Sequence, residues 1–343
     1  MHSGWRVEVT ESPSFEIRMP ACDRPQMLRR AANSLQAQSY PRWKAIVFDD
    51  STSSDSRDLI NSLADGRFAY VRNCRRLGAA GNIDQCFSPI RKVGGDYACL
   101  LEDDNFLLPN FLSRIAVRVS KAERELILAN QRIYEDGVGL RASNETTRGD
   151  WFSEGEVSPA YLRATLLLME GLSNGGLVWR LEHRIDLQVG PSVRQTGLQE
   201  ACRSLSVSAP FLFIKEPQAI WTQMPDSKSA RALETYRAFG RGMQSIRDYV
   251  LGANGETVVR LAKSIAARLG LTARLVESLS YSGRPYLAGE LLKGHAALAC
   301  RALAKGLAIR LRERDPCAVF LRSLPRQKLG LTAPHAVQTE LRE

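Results

Sequence analysis

Histidine is scarce in this 343-residue chain: four residues, scattered at positions 2, 183, 295 and 335. That argues against a histidine-rich metal centre. The seven cysteines, at 22, 74, 86, 99, 202, 300 and 317, are odd in number and contain no Cys-x-x-Cys. A disulfide framework and a zinc ribbon are thereby disfavoured, and reduced, buried thiols in a cytoplasmic protein are expected. No apolar run reaches the roughly 20 residues that span a bilayer; Ala164–Met169 is far too short. Met1–Thr10 lacks the apolar segment of a signal peptide. Internal repeats and low-complexity stretches are absent too.

Acidic residues are in short supply in one region only. Residues 231–343 hold 19 Lys/Arg against 9 Asp/Glu, whereas residues 1–230 hold 28 of each. The whole net charge of +10 therefore lies in the last third. Such asymmetry points to a separate module facing something anionic. No motif or aromatic interleaving marks that charge as a nucleic-acid footprint, so no nucleic acid is expected. The length predicts one large domain with an appendage, or two domains.

What is present is a regular alternation. Phe15–Pro20, Trp43–Phe48, Phe68–Val71 and Asp96–Leu101 read as strands, the first broken by Pro20. Between them lie helix patterns. Asp23 sits near an N-cap, Pro25 in a first turn, and Met27, Leu28, Ala31, Ala32 and Leu35 recur at helical spacing. Leu59, Ile60 and Leu63 mark a second helix, Gly78–Phe87 a third and Pro109–Val119 a fourth. Strands alternating with helices predict an α/β fold with a mostly parallel sheet. Later come Leu126–Ala129, Gly176–Trp179 and Phe211–Ile214 as strands, Ser158–Leu168 as a helix and Gly139–Phe152 as a loop. From about residue 228 the strand runs disappear, and an α-helical region is predicted.

The fourth strand ends in Glu102-Asp103-Asp104-Asn105. Unpaired carboxylates are costly to bury, so three together call for solvent or a cation. Ligands of parallel α/β sheets bind at the strand ends. A hard divalent ion, Mg²⁺ or Mn²⁺, commonly bridges one or two carboxylates to substrate phosphates. The competing reading is a solvated acidic turn before a helix N-terminus.

Four pieces then coincide in order: Pro20-Ala21-Cys22-Asp23-Arg24-Pro25, Val47-Phe48-Asp49-Asp50-Ser51-Thr52, Leu77-Gly78-Ala79-Ala80-Gly81-Asn82, and Leu101-Glu102-Asp103-Asp104-Asn105 with Pro109. Together they resemble the nucleotide-sugar-binding half of a family-2 glycosyltransferase with the GT-A fold. The resemblance is close over residues 14–120 and loose over 121–225. It implies a GT-A domain at 1–225, with nucleotide-sugar binding in 14–120 and an acceptor-binding half in 121–225; it does not reach 226–343, which composition and charge mark as a basic helical module. It implies a donor that is a nucleoside-diphosphate sugar, with UDP- or dTDP-sugars favoured. The acceptor would be a hydroxyl on a glycan, a lipid-linked sugar or a small molecule, as in polysaccharide biosynthesis.

On the family pattern Asp104 becomes the metal ligand, and Glu102 a ribose contact or second metal ligand, with glutamate standing where the family has aspartate. Pro20, Ala21, Asp23, Arg24, Asp49, Asp50, Arg72, Arg76, Gly81, Asn82, Glu102 and Asp103 are implied to bind the nucleotide. One of Asp49 and Asp50 would accept from a pyrimidine imide N–H; neighbours in an extended chain face opposite ways, so only one can. The arginines suit phosphate oxygens. Ser51, Ala21 and Cys22 depart from the family's glycine, threonine and tyrosine.

Inverting transfer needs a general base for the acceptor hydroxyl. Gly197-Leu198-Gln199-Glu200-Ala201-Cys202-Arg203 matches the family's base segment best and nominates Glu200, with Asp186 as the alternative. Trp179 and Trp221 are candidates to stack on the acceptor sugar. Two rival readings are a catalytically inactive nucleotide- or sugar-binding protein of the same fold and a nucleotidyltransferase. The latter calls for a glycine-bearing loop after the first strand, and 21–25 has none. In the tail, Leu292, Ala296, Ala299, Leu303 and Leu307 share a helical face, interspersed with Lys293, Arg301, Lys305, Arg310, Arg312 and Arg314. That pattern fits either a helix packed on its own domain or one resting on anionic lipid at the inner face of the membrane.

Overall fold

The computed structural model describes residues 12–121, 124–140, 145–181, 186–223 and 233–324. Met1–Thr10 and the boundary expected at 225/226 lie outside the described residues. The first part follows the expected alternation: β1 (Phe15–Ala21), α1 (Pro25–Gln36), β2 (Trp43–Asp49), α2 (Asp55–Ser62), β3 (Phe68–Arg72), α3 (Gly78–Gln85) and β4 (Tyr97–Leu100). β3, β2, β1 and β4 lie side by side and parallel. The register sets Ala21 opposite Asp49 and Asp49 opposite Arg72, so the carboxyl ends open on one edge. β1 does not break at Pro20. Its ladder to β4 ends at Arg18 opposite Leu100, so a residue without an N–H is tolerated beyond that point, and the strand runs on to Ala21.

Next come β5 (Phe106–Leu107), α4 (Phe111–Lys121), β6 (Leu126–Glu135), β7 (Gly139–Leu140), β8 (Gly155–Val157), α5 (Pro159–Leu166), β9 (Leu177–Arg180), α6 (Thr196–Ser206) and β10 (Phe211–Gln223). The sheet runs β3-β2-β1-β4-β9-β6-β10-β5, with β7 beside β6 and β8 beside β10. The β3-β2-β1-β4 half is wholly parallel. β9 enters antiparallel between β4 and β6, and β6 and β10 are parallel again. β10 outruns the expected Phe211–Ile214 because a register shift between Ile214 and Ala219 absorbs Pro217.

Strand alternation divides two cores. Phe15, Ile17, Met19, Trp43, Ala45 and Val47 pack with Leu28, Leu35, Phe111 and Ile115 on one face. Ile46, Phe48, Ala98 and Leu100 join Phe87, Trp179 and helices α5 and α6 on the other. Glu16 and Arg18 also sit inside β1, fully buried and ion-paired at 2.6 Å. Arg18 donates to the carbonyls of Cys86, Ser88 and Ile90, and Glu16 accepts from the N–H groups of Lys92, Val93 and Gly94. The charges are thus satisfied locally, as buried charges must be.

The remaining described residues are helical: α7 (Leu233–Arg268), α8 (Thr272–Tyr281), a 3-10 stretch (Pro285–Leu292), α9 (Ala296–Arg312) and α10 (Ala318–Ser323). α7 packs on α5 and α6. Its Met243, Ile246, Val250, Val258 and Ile265 share one core with Leu162, Leu198 and Leu205. Among the described residues no helix is long and apolar enough to cross a membrane.

Candidate active site

The carboxyl ends of β1 and β4 and the start of α3 enclose a cavity of about 220 Å³. Pro20, Ala21, Cys22, Arg24, Ala79, Asn82, Ile83, Glu102, Asp103 and Asp104 line it. A larger depression of about 340 Å³ between α1 and α2 is lined by none of the strand-end residues, so the chemistry points to the smaller one.

The acidic turn closes one wall. Arg24 lies across it: Nη2 reaches Asp103 at 2.5 Å and Nη1 reaches Asp104 at 2.7 Å. The Cys22 N–H also donates to Asp103. Burial pushes the Asp103 carboxyl up to about 7 despite the opposing charge of Arg24. Glu102 accepts from the Asn105 amide at 2.7 Å. Burial, and then the charges of Asp104, Glu200 and Asp103, push Glu102 up to about 8. Negative charge therefore exceeds what one guanidinium offsets.

Among the described residues no three His, Cys, Asp or Glu side chains form a ready-made metal cage. A protein cage is not what Mg²⁺ or Mn²⁺ requires, since one or two carboxylates plus phosphate and water oxygens suffice. Asp104 and Glu102 offer hard oxygen donors in one cavity with uncompensated charge, and that donor set fits such an ion.

Asp49, the last residue of β2, and Asp50 just past it are both buried. Asp49 accepts from the Ser51 N–H and hydroxyl and from the Tyr70 hydroxyl. Asp50 accepts from Asn73 and from the N–H groups of Leu77 and Gly78, which fixes the loop before α3. Gly78 turns there at φ +72°, a region few side chains tolerate. Asn82 brackets the strand ends: its amide donates to the carbonyls of Ala21 and Phe48. Gly81 lies one position before Asn82 in α3 and is partly buried.

Asp23 is not a helix cap. It sits at φ +50°, and its carboxylate accepts from the Thr52 N–H at 2.9 Å and from Arg76 at 2.8 Å. The cap position falls to Arg24, with no side-chain cap bond. Arg72 donates to the carbonyls of Ser51 and Thr52, so it braces the β2–α2 loop, while Arg76 stands exposed beside Cys22 and Asp23.

Glu200, 98 residues along the chain from Glu102, is brought close enough for its charge to raise Glu102. Its Oε1 accepts from the Asn174 N–H at 2.8 Å. Burial holds its pKa above the ordinary 4.5, with Arg148 opposing. Gln199, its neighbour, faces the other way and donates to the Ala80 and Val193 carbonyls. Asp186 is exposed, and its carboxylate accepts from the Gln188 N–H.

Arg203 anchors the helix that carries Glu200. Fully buried, it donates to Asp84 at 2.8 Å, to Asn174 and to the Leu187 carbonyl, and lies 3.8 Å from the Phe87 ring centre. Trp179 is a correction. It is 0% exposed and stacked on Phe87 at 4.9 Å, so it belongs to the core and no sugar can reach it. Trp221 remains partly exposed on β10.

Sequence reasoning passed over Arg30 and Arg148. Arg30 donates to the Asp104 carbonyl and to Thr222. Arg148 pairs with Glu170 at 3.0 Å, near Glu200. Neither stands in a motif or periodic pattern that would have marked it.

Residues 16–168 match the sequence model of Glycosyl transferase family 2. A Campylobacter jejuni relative, GalNAc(5)-diNAcBac-PP-undecaprenol beta-1,3-glucosyltransferase, is 25% identical over 150 residues, covering 40% of this chain and 47% of its own. The chain spans about half the length of the curated relatives it matches. Staphylococcus aureus TarS 1-349 in complex with UDP superposes with a TM-score of 0.55 at 13% identity, covering 92% of this chain and 93% of that one. GalNAc-T7 with UDP, GalNAc and Mn²⁺ does so at 0.50 and 14%, covering 79% and 57%. The fold is the GT-A fold of glycosyltransferases.

Proposed function

From the match of residues 16–168 to glycosyl transferase family 2 we propose that the protein is a member of that family and moves a sugar from a nucleoside-diphosphate donor to a hydroxyl acceptor with inversion. The observation that supports the reading is that Asp104 and Glu102 line the strand-end cavity, with Glu200 near enough for its charge to act on Glu102. UDP- or dTDP-sugars are the favoured donors, with the base at the carboxyl end of β2 beside Asp49 and Asp50. A lipid-linked glycan is the favoured acceptor, in line with the name of the Campylobacter relative.

The chain's own residues divide the work. Arg24 and Arg76 stand at the cavity and its rim, where they can neutralise diphosphate oxygens. Glu200 takes the proton of the acceptor hydroxyl as its oxygen bonds to the anomeric carbon. The bond from that carbon to the diphosphate oxygen breaks, and the nucleoside diphosphate leaves with the electron pair. A divalent ion, Mg²⁺ or Mn²⁺, would be held by Asp104 with Glu102 and would offset charge on the diphosphate. The Arg203–Asp84 pair positions α6 and with it Glu200. The experiment is a donor screen by product mass, run with nucleotide-sugars and a polyprenyl-diphosphate-linked glycan panel. Release of a nucleoside diphosphate coupled to a new glycosidic product supports the reading, and failure across all donors contradicts it.

A further inference from the structure

Helix α9 is packed by its small residues. Ala299, Ala302 and Gly306 are buried, and a Cβ on Gly306 would stand 2.0 Å from the Tyr281 carbonyl oxygen. Gln244 donates to the Gly306 carbonyl, which holds the helix down. The large apolar residues face outward instead. Leu303, Leu307 and Leu311 are 40%, 58% and 78% exposed. Spaced four apart, they form one stripe along the helix.

The rest of the exposed surface of α9 is cationic. α9 contains Arg301, Lys305, Arg310 and Arg312 and no acidic residue. Arg310 pairs with Asp248 at 2.7 Å. Arg301, Lys305 and Arg312 are exposed and form no ion pair among the described residues. On a helical projection Arg310 borders the leucine stripe on one side, while Arg301, Lys305 and Arg312 stand together on the polar face, about 80–120° past its other edge. A helix packed only on its own domain would turn its leucines inward; here alanine and glycine fill that role.

We infer that α9 is a membrane-surface helix: its leucines enter the headgroup–acyl boundary of a bilayer rich in anionic lipid, and Arg301, Lys305 and Arg312 contact the headgroups. An apolar stripe with basic side chains on the polar face is the form such helices take. Charge decides between occupants. A second copy of this helix would bring three unpaired cations toward three more, whereas an anionic leaflet complements them. The inference rests on α9 alone and stands apart from the proposed transfer reaction.

The test is sedimentation of the full chain with vesicles of phosphatidylcholine alone and of phosphatidylcholine with phosphatidylglycerol. Wild type should bind the second and not the first, and binding should weaken as salt rises. Each basic residue near an anionic leaflet strengthens binding by about fivefold, so R301Q/K305Q/R312Q should bind about a hundredfold more weakly. L303Q/L307Q/L311Q should also lose binding, while both variants melt like wild type because every altered side chain is exposed. Equal binding to both vesicle types, no binding to either, or unchanged binding by both variants would overturn the inference. A dimer in light scattering that the leucine variant dissolves, without vesicle binding, would assign the face to a second copy instead.

Discussion

Arg24 Nη1 lies 2.7 Å from the carboxylate of Asp104, so the proposed metal ligand is already paired with a cation of the chain itself. The same guanidinium neutralises buried Asp103. At 39% exposure its pairs are weaker than buried ones, and R24Q should lower stability at pH 8 by about 1–2 kcal/mol. Mn²⁺ should then raise the melting temperature of R24Q more than that of wild type, as measured by paired thermal melts. Equal shifts would mean that Arg24 and the ion do not share Asp104.

The raised pKa of Glu200 predicts both a pH profile and a stability effect. As a base it must be ionised, so kcat/KM should fall on the acid side at a pH above the ordinary 4.5. For stability the sign is the reverse of a salt-bridged carboxylate. Glu200 contributes fully below the unfolded value of about 4.5 and loses that contribution as pH rises through the folded pKa. E200Q should therefore be at least as stable as wild type at pH 8 while turnover drops by about 10²-fold or more. Matched melts and rates at that pH separate a lost base from a lost fold.

Arg203 and Asp84 form a pair 1% and 7% exposed that ties α6 to α3. Removing one partner of a buried pair costs about 3–5 kcal/mol. D84A should lose that much in denaturant unfolding. It should lower turnover as well, because the Val189 and Gly190 N–H groups also depend on Asp84.

The two tryptophans should part company. W179A should cost about 3–5 kcal/mol, the range for emptying an aromatic core site. W221A, on a partly exposed strand position, should cost about 1 kcal/mol and act mainly on KM for the acceptor. Unfolding curves alongside acceptor titrations distinguish them.

The βαβ order was legible in the sequence because its strands and helices carry clean periodicity, and Glu102–Asp104 stood out as a candidate because three carboxylates follow directly on an apolar strand run, although an acidic turn before a helix would read the same way. Glu200 could be nominated only through a resemblance; its approach to Glu102 depends on α6 folding back across the sheet. Trp179 was misread because a tryptophan near a strand end looks the same whether it faces a cleft or the Phe87 ring. Short β5, β7 and β8 are two or three residues each, too brief for any period, and exist through their partners in β6 and β10. Arg18 inside β1 was invisible as a core residue, since its three carbonyl acceptors lie about 70 residues away. The outward leucines of α9 were likewise open until the small residues beneath them were seen to be buried.

The most direct test of the account is calorimetric titration of UDP into wild type and D104N, each with Mn²⁺ and with EDTA. Wild type should bind UDP with Mn²⁺ and lose most of that binding in EDTA, while D104N should bind weakly in both. At UDP about a hundred times its dissociation constant, wild type with Mn²⁺ should gain roughly 2.7 kcal/mol of stability. Equal affinity in EDTA, or D104N binding that matches wild type, would contradict a metal-assisted nucleotide-sugar site at the end of β4.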